Sequence, residues 1–154
     1  MQPQRPARSC RAAPAGLYAL PDAHCTPGAL NPAVTQATIA ATICKRGWTR
    51  AVRPPESVTE PEKLADMRAY GESASAVHAY EYDHLVALEL GGAANDPRDL
   101  WPELDYPSPE GFYLNPKDRL ERTLNRMVCN GSMSLSQAQL LSARNWVAAF
   151  RRYG

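Results

Sequence analysis

Fourteen prolines are spread along this chain of 154 residues, against only two phenylalanines, and that ratio limits the fold more than any other feature. A proline has a fixed φ and no backbone donor, so a long helix or a central strand passes through it only with a kink or a missing hydrogen bond. The expectation is a small domain rich in loops, not an idealised bundle or a continuous sheet. The length suits one globular unit with a modest core.

The prolines also mark where elements begin and end. Residues 1–24 are rich in Pro, Ala and Arg and read as a poorly ordered arm, with residues 25–154 as a single domain whose core starts near Cys25. From Pro32 to Cys44 the positions of Val34, Ala37, Ile39, Ala40 and Ile43 suit one face of a helix that Gly47 stops. Trp48 to Val52 reads as a short strand ended by Pro54-Pro55, and residues 61–70 as a short helix closing at Gly71. Val77 to Leu90 supplies strand formers for a β-hairpin, after which a tight loop brings the chain back at Leu100-Trp101-Pro102. Residues 104–114 look irregular. Asn115-Pro116 has the form of a helix start, with Asn as cap and Pro at the first helical position, and the helix runs to Asn130-Gly131. A last helix begins at Ser134, where Ser134 and Gln137 form a capping box.

Charge is segregated although the net charge is only +1. Residues 1–55 hold seven Lys/Arg and one acid, residues 56–112 three and thirteen, and residues 113–154 seven and two. Basic flanks suit a polyanion, and an acidic centre suits a divalent cation. The four cysteines contain no Cys-x-x-Cys pair, which argues against a zinc knuckle. Cys25, Cys44 and Cys129 are the candidates for disulfide bonding if the protein is exported. No stretch has the length of a membrane span and no apolar leader core follows the first arginines, so the expected protein is soluble, cytoplasmic or exported, and is taken as a monomer.

The chemistry concentrates in Tyr82-Asp83-His84-Leu85-Val86-Ala87-Leu88-Glu89-Leu90-Gly91-Gly92, where a carboxylate and an imidazole precede an apolar run and a glycine turn. Phosphodiester hydrolysis needs a base for water, a cation for the developing charge, and a way to aim both at one phosphorus. Neighbouring residues at a strand end can divide those tasks: a carboxylate holds a cation while an imidazole titrating near neutral pH takes the proton. His24, in the arm, and His78, just ahead of the hairpin, read as surface or packing residues.

Two further segments, Asn95-Asp96-Pro97-Arg98-Asp99-Leu100-Trp101-Pro102-Glu103 and Asn115-Pro116-Lys117-Asp118-Arg119-Leu120-Glu121, complete a pattern that resembles the HNH endonucleases, also called ββα-metal or His-Me finger nucleases. Within them it is similar to a bacterial subgroup reading roughly Asp-His-Leu-x-Pro-Leu-Glu-Leu-Gly-Gly, Asn-Leu-Trp-Pro-Glu and Lys-Asp-x-Leu-Glu. The likeness covers about residues 79–130. It implies an α+β fold, a ββα-metal motif with added helices packed around a small hairpin, and a nuclease that hydrolyses DNA. His84 would be the general base. Asp83, with either Asn115 or Asp118 from the helix, would hold one divalent ion, Mg2+ or Mn2+ first and Zn2+ or Ni2+ as alternatives. Lys117 and Arg119 would contact DNA phosphates. The chain departs from the pattern at Ala87, where a proline is usual, and at Asp99, where the family has an asparagine that braces the loop and orients the histidine. Either Asp99 or Asn95 would then brace it. Two alternatives stand beside the DNA nuclease: an exported, disulfide-stabilised module that keeps the scaffold without activity, and a nuclease acting on RNA.

Overall fold

The computed structural model describes residues 2–106 and 115–154. Eight of the residues expected to be irregular, 107–114, lie outside that description. The fold is α+β. In chain order it has a small hairpin of β1 (Ala13–Ala15) and β2 (Tyr18–Leu20), helices α1 (Trp48–Val52) and α2 (Glu56–Tyr70), a second hairpin of β3 (Tyr80–His84) and β4 (Leu100–Leu104), and helices α3 (Pro116–Cys129) and α4 (Leu135–Tyr153).

Several expected elements differ from these. Residues 32–44 form turns and a single 3-10 turn at Ile39–Ala41, not a helix. The Thr38 hydroxyl accepts from the Thr35 amide and donates to the Ala33 carbonyl, and Thr42 donates to the Thr38 carbonyl. These local bonds compete with the helical ladder at the positions that would have carried it. Trp48–Val52 is a helix, not a strand: Gly47, at φ 85°, turns the chain into it, and the Ala51 amide donates to the Gly47 carbonyl. Helix α2 starts five residues earlier than expected and carries Pro61 inside it, ending as expected at Gly71 in the left-handed region. The hairpin is not contained within residues 77–90. Strand β3 pairs with β4 in antiparallel register, His84 opposite Leu100 and Tyr80 opposite Leu104.

Residues 2–24, expected as a loose arm, are tied to the body. Cys10 is disulfide-bonded to Cys25, and its amide donates to the Ala69 carbonyl at the end of α2. Arg5 reaches Asp66 of α2 at 2.8 Å, and burial pushes the Asp66 carboxyl up to about 6 against the pull of Arg5. Trp146 of α4 donates through its indole nitrogen to the Ala19 carbonyl. Cys10, the one cysteine left out of the candidates, is thus a partner, and Cys44 pairs with Cys129. Loop closure across separations of 15 and 85 residues is worth about 3 and about 4.5 kcal/mol by chain entropy.

The core lies between α3, α4 and the loop that follows β3. Leu120, Leu124 and Val128 form an i, i+4, i+8 stripe on α3, fully buried with Ala138, Trp146 and Val147 of α4. Leu85, Val86, Ala87, Leu88 and Leu90 are buried in the loop. A buried loop leaves carbonyls without ladder partners. Helix α4 satisfies two of them, with Ser142 donating to the Leu85 carbonyl at 2.6 Å and Gln139 to the Leu90 carbonyl at 2.9 Å. The glycine pair closing the loop has no room for side chains. A Cβ at Gly91 would come within 2.6 Å of Val34, and one at Gly92 within 1.7 Å of the Val86 carbonyl oxygen. The loop is therefore fixed in place, and with it the end of β3.

Candidate active site

Strand β3 presents its residues alternately, so Glu81 and Asp83 share one face and Tyr82 takes the other. His84, the last residue of the strand, is buried, and its Nε2 lies 3.0 Å from the Ala94 carbonyl oxygen. A carbonyl only accepts, so Nε2 carries the proton and Nδ1 is left as the basic nitrogen. Burial holds the His84 pKa below its ordinary value, outweighing the opposite pull of Asp83. The ring is neutral at neutral pH and ready to accept a proton.

The face carrying Glu81 and Asp83 meets the start of α3. Asn115 stands at the cap position of that helix, but its side chain does not cap it: Nδ2 donates to Glu81 Oε1 at 2.5 Å. Lys117, expected among the phosphate contacts, is wholly buried instead. Its ammonium donates to Asp83 Oδ2 and, at 2.5 Å, to Glu121 Oε1, and lies 3.5 Å from Glu103 Oε2 on β4. Burial alone would lower the Lys117 pKa, but the three carboxylates hold it well above the ordinary lysine value. Burial pushes Asp83 up, and Lys117 and His84 more than reverse that and keep it ionised. Burial and the neighbouring acids raise Glu81 to about 7 and take Glu103 and Glu121 well above the usual carboxylate range.

Three carboxylates thus surround one ammonium with Glu81 beside them, and protons take up part of the excess charge. Ligand atoms of Glu81, Asp83 and Glu103 all lie within 4.8 Å of one another. Both carboxylate oxygens of Glu103 and Oδ1 of Asn115 are buried without a hydrogen-bond partner. A set of hard oxygen donors with charge to spare fits Mg2+ or Mn2+ better than a thiophilic ion. The residues present therefore fit a divalent cation in addition to Lys117.

A cleft of about 320 Å³ opens over these groups, lined by Glu81, Asp83 and His84 from β3, by Asp118, Glu121 and Arg122 from α3, by Thr49 of α1 with Arg53 just past its end, and by Glu89 from the loop after β3. The structure therefore brings together five of the expected residues, His84, Asp83, Asp118, Asn115 and Lys117, the last two through the Asn115 amide on Glu81 and the Lys117 ammonium on Asp83. Arg119 is exposed and outside the cleft lining, whereas Arg122, three residues further along α3, lines it. Glu81, Glu103 and Glu121 were not singled out from sequence. Signals existed for two of them: Glu81 stands two residues before Asp83 on a strand, and Glu121 four residues after Lys117 on a helix.

Asp99, not Asn95, braces the loop. Asp99 is fully buried, its Oδ1 accepts from the Val86 amide at 2.9 Å and its carbonyl accepts from Leu85 at 2.6 Å, whereas Asn95 is exposed. The second oxygen, Oδ2, is buried without a partner, and burial pushes the carboxyl up to about 8. An unfolded chain releases that proton near 3.8, the ordinary aspartate value. Between these values the folded state holds the extra proton, so stability falls as pH rises from about 4 to about 8. Asp99→Asn keeps the acceptor for Val86 and removes the titration. It is expected to leave Tm nearly unchanged at pH 4 and to raise it at pH 8 by several degrees or more, the shift setting an upper limit of about 5 kcal/mol. Thermal melts across pH check this, and parallel pH profiles for the two proteins would show that Asp99 is ionised in the fold.

No protein-family model matches the chain, and neither does any curated protein or solved structure.

Proposed function

We propose that the protein is a metal-dependent endonuclease of the HNH type that hydrolyses phosphodiester bonds in DNA. The observation that carries this reading is the tethering of His84 through Nε2 to the Ala94 carbonyl, beside a carboxylate-lined cleft. In that tautomer the Nδ1 lone pair takes the proton from a water as its oxygen attacks phosphorus. Strands β3 and β4 followed by α3 then play the part of the ββα-metal motif. The carboxylates of Asp83, Glu81 and Glu103 would hold one divalent ion, Mg2+ or Mn2+, with Asp118 of α3 lining the same cleft. When bound, that ion supplies charge stabilisation for the phosphate and the departing 3′-oxygen. Arg53 and Arg122 on the cleft wall attract the phosphate and offset the acids around it. Asp99 fixes the Leu85–Val86 turn and so the direction in which β3 ends. The ends left would be 5′-phosphates, as the family resemblance implies.

Among the described residues no helix is long and apolar enough to cross a membrane. The Cys10–Cys25 and Cys44–Cys129 bonds favour an oxidising compartment, which supports export. One observation favours a second reading: the Lys117 ammonium already sits on Asp83, as it would in a binding module that dispenses with metal. Supercoiled plasmid incubated with the protein separates the two. Conversion to nicked and linear forms in Mg2+ or Mn2+, abolished by chelator, is expected. No conversion with either ion, together with no calorimetric Mn2+ binding, would overturn the nuclease in favour of the module. A parallel RNA substrate decides which nucleic acid is cut faster.

A further inference from the structure

A second groove, of about 570 Å³, adjoins the cleft, and the two share Thr49 and Glu89 in their walls. Its sides are the residues leading into α1 and the end of α3. The Cys44–Cys129 disulfide ties these together, and Asn125 clamps them by donating to the carbonyls of Ile43 at 3.3 Å and Glu89 at 2.7 Å. The groove is thus a fixed part of the fold.

Lys45, Arg46 and Arg126 line it, all exposed. With Arg53 and Arg122 of the cleft they make five cations over the two adjoining cavities, and among the described residues none of the five forms an ion pair. Glu89 is the acid of the groove lining, whereas in the cleft Arg53 and Arg122 share the wall with Glu81, Asp83, Asp118 and Glu121 as well. Unpaired cations in a groove of this kind track a chain of phosphates. Trp48, half-buried and packed on the core from below, also lines the groove. The other two tryptophans, Trp101 and Trp146, are fully buried in the core. Stacking on an indole needs a base with a free face, which a single strand offers and a continuous duplex does not. The volume suits one small organic group of that size.

We propose that this groove seats single-stranded DNA flanking the scissile phosphate, its backbone on Lys45, Arg46 and Arg126 and one base against Trp48; the part about the scissile phosphate rests on the nuclease reading above. The groove thereby gives the protein a preference for unpaired or frayed strands over continuous duplex.

Binding measured with cleavage switched off tests it. The full chain, disulfides intact, is titrated in EDTA at low salt with a fluorescein-labelled 12-nucleotide oligothymidylate and with a duplex of the same length. The single strand is expected to bind at least about 10-fold more tightly than the duplex and to quench tryptophan emission saturably, since Trp48 is the one exposed enough to report contact. The triple variant Lys45→Glu, Arg46→Glu, Arg126→Glu changes only exposed side chains. It should weaken binding more than about 10-fold and flatten the slope of log affinity against log salt by about 2, as three lost phosphate contacts on a single strand require. Unchanged affinity in the triple variant, or tighter duplex binding without quenching, overturns the groove. The two failures are separable. A protein that binds this way and never cuts would sink the nuclease reading alone, whereas one that cuts while the triple variant binds unchanged would sink the groove alone.

Discussion

Replacing His84 by alanine is expected to lower DNA cleavage by about 100- to 10,000-fold at pH 7.5, the range a positioned general base contributes. The imidazole has one hydrogen bond, through Nε2 to Ala94, and the basic Nδ1 is left for water. Alanine removes the base and leaves the carboxylates, Lys117 and the phosphate-attracting arginines in place, so substrate affinity should change little. The pH dependence of the parent protein carries the same signature. Because burial holds His84 below its ordinary value of 6.5, the imidazole is unprotonated across neutral pH, and the acid limb of the rate profile should fall below that value. Added imidazole should restore part of the activity of His84→Ala, filling the space the side chain left. Single-turnover cleavage of plasmid, with circular dichroism to show that the variant is folded, makes the measurement. A folded variant that cuts at the parent rate would eliminate His84 as the base.

How much of this site could be read from sequence depends on how local each contact is. Asp83-His84 at a strand end and the Gly91-Gly92 turn were legible from local sequence, since strand alternation places the pair and two glycines after an apolar run mark a turn, although what excludes a side chain at Gly91 is Val34, remote in sequence. Helices α3 and α4 were legible from their apolar stripes and from Ser134, whose hydroxyl accepts from the Gln137 amide as a cap should. The apolar spacing of residues 32–44 misled, because period alone does not register that Thr35, Thr38 and Thr42 bond their own backbone. Trp48–Val52 misled for a related reason. Its residues favour strands, but a segment of five takes the form its surroundings impose, and here these include the disulfide at Cys44. The choice between Asn95 and Asp99 turns on which carboxyl or amide meets the Val86 amide, a contact across 13 residues that no spacing rule contains. Lys117 is the strongest case. A lysine on the first turn of a helix reads as solvated, and only the convergence of β3, β4 and α3 shows that it is enclosed.

That enclosure makes Lys117→Met the most informative change for stability and for the metal question together. Methionine keeps most of the volume of the aliphatic stem, so packing is nearly conserved and the loss is that of the charge. Asp83, Glu103 and Glu121 would then face one another with Glu81 beside them and no cation between. Removing one partner of a buried ion pair costs about 3–5 kcal/mol, because the partners left behind stay desolvated. The cost should depend on pH in a definite sense. The orphaned carboxylates hold protons in the folded state at pH values where the unfolded chain has lost them, so the destabilisation is smallest near pH 4 and grows as pH rises. A divalent cation should reverse it. If the cluster of Glu81, Asp83 and Glu103 accepts an ion, the methionine variant, freed of its resident ammonium, binds Mn2+ more tightly than the parent and gains more stability from it, about 2.7 kcal/mol when the ion is present at 100 times its dissociation constant. Denaturant unfolding of both proteins at pH 5 and pH 8, with and without Mn2+, measures all three effects. A variant as stable as its parent at pH 8 would mean that the buried ammonium is not what neutralises these acids. Destabilisation that Mn2+ fails to relieve would place the ion elsewhere in the cleft, on Asp118 and the outer oxygen of Asp83, and leave Lys117 as the permanent counter-charge of the inner carboxylates.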